Sequence, residues 1–128
     1  MAFPEGSRWR EHFWEVLLHS PHGAVLKETA IEGRMKDWTK ALTAAAAETC
    51  ERMGWDAVAK GHTAGALPVS RSEYLVLDMM ALPRTSSDWR FPKAIFELEN
   101  SHKDVRIAYS LWKVLCVRAD LRMVFCYR

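Results

Sequence analysis

The chain has 128 residues, of which 49% are hydrophobic and 27% are charged, and its formal net charge is +2. This length suits one domain with a buried core, and so balanced a charge does not by itself indicate nucleic acid as a partner. No apolar run reaches the roughly 20 residues that a membrane-spanning helix needs, and the first residues lack the apolar core of a signal peptide. We therefore expect one cytoplasmic domain over residues 1–128, without a membrane partner.

Residues 1–34 are expected to form a helical extension outside the core. Apolar residues at helical spacing predict a helix over residues 7–20. The sequence SPHG at 20–23 should end this helix, because proline and glycine both resist its continuation. Residues 24–34 fit either a short helix or an irregular segment.

The predicted core, residues 35–128, begins with a helix over residues 35–53. Apolar side chains from Trp38 onward recur every three or four residues, and the run AAAA has the highest helix propensity available. Gly54 is well placed to end this helix. A helix face made of alanines also allows another element to approach it closely.

Three strands are predicted next, over residues 55–61, 72–82 and 93–99. The second is almost continuously apolar, as a central strand covered on both faces would be, and Pro83 ends it. The third alternates, so that its apolar residues face one side while Glu97 and Glu99 share the other.

A second core helix is predicted from Ser101 to about Arg118. The sequence SHKD resembles a capping box, with Asp104 in the position that glutamate usually takes. An apolar stripe along this helix should face the core: Val105, Ala108, Leu111, Trp112 and Leu115. A last strand is predicted over residues 121–127, parallel to strand 93–99 because a helix connects the two.

The acids in these strands are the candidate functional residues. Asp78 lies within an apolar strand, and Glu97 and Glu99 lie near the end of the next one. If the two strands are neighbours, about 4.8 Å apart, the three carboxylates meet and repel one another. A divalent cation would relieve this repulsion, and magnesium prefers oxygen ligands. The alternative is that each acid pairs with an arginine where the sheet meets solvent.

With the order helix–strand–strand–strand–helix–strand, these acids resemble the PD-(D/E)xK nuclease superfamily. The resemblance implies an α/β fold with a restriction-endonuclease-like core, a central mixed sheet flanked by helices. Asp78 matches the family's aspartate on the second core strand, and Glu97 matches the first acid on the third. Glu99 stands where the family usually has lysine, as in the E-x-E variants.

The resemblance implies hydrolysis of DNA phosphodiesters with Mg²⁺ or Mn²⁺ held by Asp78, Glu97 and Glu99. Glu48 is the candidate for the additional acid that many family members carry on the first core helix. Lys93 and Lys103 flank the third strand and could replace the missing lysine, although solvated lysines are the more ordinary interpretation. Many enzymes of this fold act as homodimers, and a homodimer is therefore a further expectation.

Two other functions stay open on the sequence alone. The glutamate at position 99 would also suit a nuclease-fold module that has lost catalysis and binds nucleic acid or a protein. Alternatively, the chain is an unrelated α/β interaction protein in which Asp78 and Glu97 only form salt bridges.

Overall fold

The computed structural model describes residues 4–62, 67–68, 73–84 and 89–126. Within these ranges the chain forms a mixed α+β fold with four helices and one four-stranded sheet. The elements in chain order are α1 (Pro4–His19), α2 (Pro21–Glu32), α3 (Met35–Arg52), β1 (Trp55–Ala59), β2 (Met79–Pro83), β3 (Ala94–Glu99), α4 (Asp104–Leu115) and β4 (Leu121–Cys126).

Residues 4–32 are helical nearly throughout. The predicted first helix is confirmed as α1, and of residues 24–34, left open by the sequence, all up to Glu32 belong to α2. The break between them is a single residue, Ser20, whose hydroxyl caps α2 by accepting a hydrogen bond from the His22 amide at 3.3 Å. Pro21 occupies the first helical turn, where its missing N–H costs nothing.

Helix α3 is confirmed nearly to its predicted limits. It ends at Arg52, and Gly54 follows with a φ of +81°, a left-handed conformation that glycine adopts without steric cost. Its buried face is built mainly of small residues, and Ala45, Ala46 and Cys50 are fully buried. The sheet can therefore approach this helix closely.

The sheet has the strand order β1-β2-β3-β4. The pairs β1–β2 and β2–β3 are antiparallel, whereas β3 and β4 are parallel across the α4 connection, as the sequence predicted. Two apolar layers cover its faces. Trp9 and Phe96 belong to the layer under α1 and α3, and Ile95 and Val114 belong to the layer under α4.

Strand β2 is shorter than the apolar run 72–82 predicted. The strand begins at Met79, and Leu75 and Val76 lie in a turn with φ of 57° and 58°. The antiparallel pairing with β1 starts at Ala59 opposite Met79. The described residues just before Met79 are therefore not paired with β1. Asp78 thus immediately precedes β2. Ser72 and Tyr127, the predicted ends of two strands, lie outside the described residues.

The predicted capping box at Ser101 is wrong. Helix α4 begins at Asp104, and Lys103 is its N-cap without a side-chain capping hydrogen bond. The Ser101 hydroxyl accepts instead from the Lys103 amide at 3.2 Å, which stabilises the turn before the helix.

The predicted orientation of α4 is also wrong. Its apolar stripe faces solvent, with Val105 81%, Trp112 61% and Leu115 72% exposed. The fully buried residues of the helix are Ser110 and Val114. The sheet face beneath α4 carries Glu97 and Glu99, and these acids need polar partners that the apolar stripe lacks. Among the described residues, every helix is too short or too polar to cross a membrane.

Candidate functional site

Asp78 and Glu97 meet where the β2–β3 ladder ends. The Asp78 amide donates to Glu97 Oε2 at 2.9 Å, and the Leu98 amide donates to Asp78 Oδ2 at 2.8 Å. In both bonds a carboxylate oxygen accepts from a backbone amide, where a backbone carbonyl would accept within the ladder. The two bonds therefore extend the antiparallel β2–β3 pairing. Glu97 is only 3% exposed, so this arrangement holds one buried carboxyl against a half-buried one.

The positive partner of Glu97 is Lys113, from the inward face of α4. Lys113 Nζ lies 2.5 Å from Glu97 Oε1 and donates to the Val76 carbonyl at 2.6 Å. The side chain is only 15% exposed. Lys113 was not predicted as a site residue, because the apolar stripe was expected to form the inward face of α4. The sequence does place Lys113 on one helical face with Ser110. This polar face could have been predicted to pair with Glu97 and Glu99, because buried acids need polar partners.

The pKa of Asp78 is raised to about 7. Burial is the largest cause, and a side-chain hydrogen bond with Glu97 and the charge of Glu97 raise the pKa further. The hydrogen bond from the Leu98 amide and the charge of Lys113 lower it, without cancelling the rise. The Asp78 carboxyl can therefore bind or release a proton near neutral pH.

Glu99 is directed to other partners. Its Oε1 accepts from the Ser101 amide at 2.9 Å, and its Oε2 accepts from the Ser110 hydroxyl at 3.3 Å. These bonds attach the turn after β3 to helix α4. Among the described residues, no three histidine, cysteine, aspartate or glutamate side chains are placed to hold a metal ion together. Asp78, Glu97 and Glu99 thus do not form the expected three-carboxylate group.

Three other candidates have different surroundings. Glu48 is half-buried on α3, and within the described part of the chain its Oε2 atom has no hydrogen-bond partner. Lys93 pairs with Asp120 at 3.2 Å and with Glu5 at 3.6 Å. Lys103 is exposed at the start of α4. The cation beside the two acids is Lys113, and the two lysines that the sequence suggested are not bonded to them.

A cavity of about 830 Å³ opens beside Asp78. One wall is α3, with Lys36, Lys40 and Thr43, and another is the turn after β1, with Lys60 and His62. Asn100 also lines it, and the side-chain amide of Asn100 donates from Nδ2 to Thr39 Oγ1 at 3.2 Å. The cavity thus combines three lysines with an acid whose pKa is near neutrality.

No family model, curated protein or solved structure matches this chain.

Proposed function

We propose that the protein hydrolyses DNA phosphodiesters in a metal-dependent reaction, with a restriction-endonuclease-like core formed by residues 35–128. The observation that carries this proposal is that Asp78 lines a cavity with three lysines and contacts Glu97, which is paired with Lys113. The order of elements from α3 to β4 supports it, because the resemblance implies the same order.

The donor set of this site suits one magnesium ion. Magnesium is usually bound through one or two carboxylates and keeps several waters. A carboxylate offers about four acceptor positions, and each oxygen of Glu97 has one described partner, which leaves positions free. Asp78 faces the cavity and would supply the second ligand. Bound there, the ion would supply Lewis acidity toward a phosphoryl oxygen and would make water more acidic.

Each residue has a separate task in this proposal. Asp78 binds the ion in its ionised form and can take a proton near neutral pH. Lys113 neutralises Glu97 and fixes its orientation, because it bonds both the carboxylate and the Val76 carbonyl. Lys113 is therefore a positioning residue that supplies the cation missing at position 99. Glu99 has a structural task in the turn before α4.

A second candidate is a non-catalytic module of the same fold that binds nucleic acid or a protein. The bonds to Glu97 favour it, because one carboxylate oxygen already accepts from the Asp78 amide and the other is already paired with the Lys113 ammonium. Such reciprocal bonds also suit a purely structural end to the β2–β3 ladder. DNA affinity in EDTA, together with no cleavage in any metal, would favour this module.

Metal binding separates these two functions. We expect the wild-type protein to bind one Mn²⁺ in a calorimetric titration at pH 8, and Asp78→Asn to weaken binding at least about ten-fold. Glu99→Gln is the matched control and should bind Mn²⁺ as the wild type does. Equal Mn²⁺ affinity in the wild-type and Asp78→Asn proteins would exclude this ion site.

A further inference from the structure

We propose that the cavity beside Asp78 binds a single, unpaired DNA strand through its phosphates. This inference rests on the proposed function, since it names the form of DNA that reaches the same acids. The lining supplies Lys36 and Lys40 from α3 and Lys60 from the turn after β1. A strand bound in the cavity would therefore contact lysines from both α3 and the turn after β1.

These lysines are available to a ligand. Among the described residues, no salt bridge involves Lys36, Lys40 or Lys60, and all three are exposed. Lys36 and Lys40 are one helical turn apart, so their Cβ atoms are separated by about 5–6 Å. This spacing is close to the step between neighbouring phosphates on one strand, and the pair can contact successive phosphates.

Three acids, Asp37, Glu73 and Asp78, line the same cavity, so its attraction for a phosphate depends on lysines that have no described acidic partner. Asp37 is already paired with Arg34, at 2.9 Å. Asp78 is half-buried, and its carboxylate accepts a hydrogen bond from the Leu98 amide at 2.8 Å. Glu73 also lines the cavity and is exposed. Asp37 and Asp78 thus already have partners within the protein, whereas the three lysines have no described salt bridge and can turn toward a phosphate.

The size and the chemistry of the lining favour an unpaired strand over a duplex. A volume of about 830 Å³ is that of a small-molecule pocket and suits a few nucleotides of one strand. A duplex presents its phosphates on a wide convex surface and would not enter such a hollow. The described lining residues include no phenylalanine, tyrosine or tryptophan, and His62 supplies the one described ring, so base stacking is limited and binding should depend little on sequence.

Fluorescence anisotropy tests this inference in EDTA, where cleavage cannot occur. The probes are a fluorescein-labelled 12-nucleotide oligothymidylate and its blunt duplex with oligoadenylate. We expect the single strand to bind at least ten-fold more tightly than the duplex. If each of the three lysines contacts one phosphate, the logarithm of the association constant should fall with log[salt] with a slope of about −2.

Variants locate the binding surface. The magnitude of the slope of log K against log[salt] should fall by about 0.7 in each of three single variants, Lys36→Ala, Lys40→Ala and Lys60→Ala. Lys27→Ala, which removes an exposed lysine from α2, is the matched control and should bind as the wild type does. The inference is overturned if the duplex binds as tightly as the single strand, or if all three variants match Lys27→Ala.

Cleavage measured in parallel with Mn²⁺ separates this inference from the proposed function. Single-strand binding that depends on the three lysines, without cleavage, would support the cavity and exclude the nuclease. Cleavage of duplex DNA that is indifferent to the three lysines would support the nuclease and exclude the cavity as its strand site.

Discussion

At the scale of single residues, Glu97 determines how the surrounding side chains are arranged. A buried carboxylate is very costly unless it is paired, and Lys113 and the Asp78 amide are its described partners. These bonds explain why the inward face of α4 carries a lysine. They also bring Asp78 close enough for the charge of Glu97 to raise the pKa of the Asp78 carboxyl.

Removal of Lys113 should therefore destabilise the fold. We expect Lys113→Met to lower the free energy of unfolding by about 3 kcal/mol, because it leaves Glu97 buried without its cation. The double variant Lys113→Met/Glu97→Gln should recover part of this loss. Urea unfolding measures both, with the exposed Lys103→Met as control. Equal unfolding midpoints for Lys113→Met and Lys103→Met would show that the pair contributes nothing.

The protonation of Asp78 should appear in the pH dependence of stability. Its pKa rises from 3.8 in the unfolded chain to about 7 in the folded protein, so the folded state binds the proton more tightly. The resulting stabilisation is complete below about pH 4 and is lost as the pH rises through 7. Asp78→Asn cannot titrate and should lack this component.

The measurement is the difference between wild-type and Asp78→Asn unfolding free energies at pH values from 4 to 8. We expect the wild type to lose stability relative to the variant as the pH rises. A difference that is constant, or that changes in the opposite direction, would contradict the raised pKa.

At the scale of elements, the junction between α1 and α2 depends on a close backbone contact. A Cβ atom added at Gly23 would lie 1.9 Å from the Leu17 carbonyl oxygen, whereas one added at Gly6 would meet Leu121 Cδ1 at 3.7 Å. Gly23 is therefore required by close packing. Gly6 lies within α1, where glycine costs conformational entropy without a steric reason.

Two alanine substitutions test this difference. We expect Gly23→Ala to lower the free energy of unfolding by about 2 kcal/mol, because helix backbone must move. Gly6→Ala, the matched control, should change it by less than about 1 kcal/mol, in the stabilising direction. Thermal or urea unfolding compares them, and similar losses in both variants would mean that the junction is loosely packed.

The sequence predicted elements well where local pattern and tertiary environment agree. Helix α3 has both a helical period and alanine-rich propensity, and Gly54 follows its end. The hydrophobic pattern gave wrong predictions where the structure depends on the element against which a segment packs. An apolar run cannot show that β2 has no partner before Met79, and the α4 stripe cannot show that the sheet beneath it is acidic. Lys113 was missed for the same reason.

At the scale of the whole molecule, the two faces of the sheet are covered unequally. One face is covered by α1 and α3 with a large apolar cluster that includes Trp9, whose indole N–H donates to Cys50 Sγ at 3.4 Å. The other is covered by α4, whose contacts combine Val114 with the polar Lys113 and Ser110. The candidate site lies at the end of the β2–β3 ladder, where α4 adds the polar Lys113 to an otherwise apolar layer.

Cleavage by the intact protein tests the central claim most directly. The substrate is a fluorescently labelled single-stranded DNA oligonucleotide at pH 8, with Mn²⁺ or Mg²⁺, and the products are separated by length. We predict that the wild type cleaves it, that EDTA abolishes cleavage, and that Asp78→Asn reduces the rate at least about 100-fold while Glu99→Gln retains it. Cleavage by Asp78→Asn at the wild-type rate, or a folded wild type inactive with both metals, would contradict the proposed nuclease site.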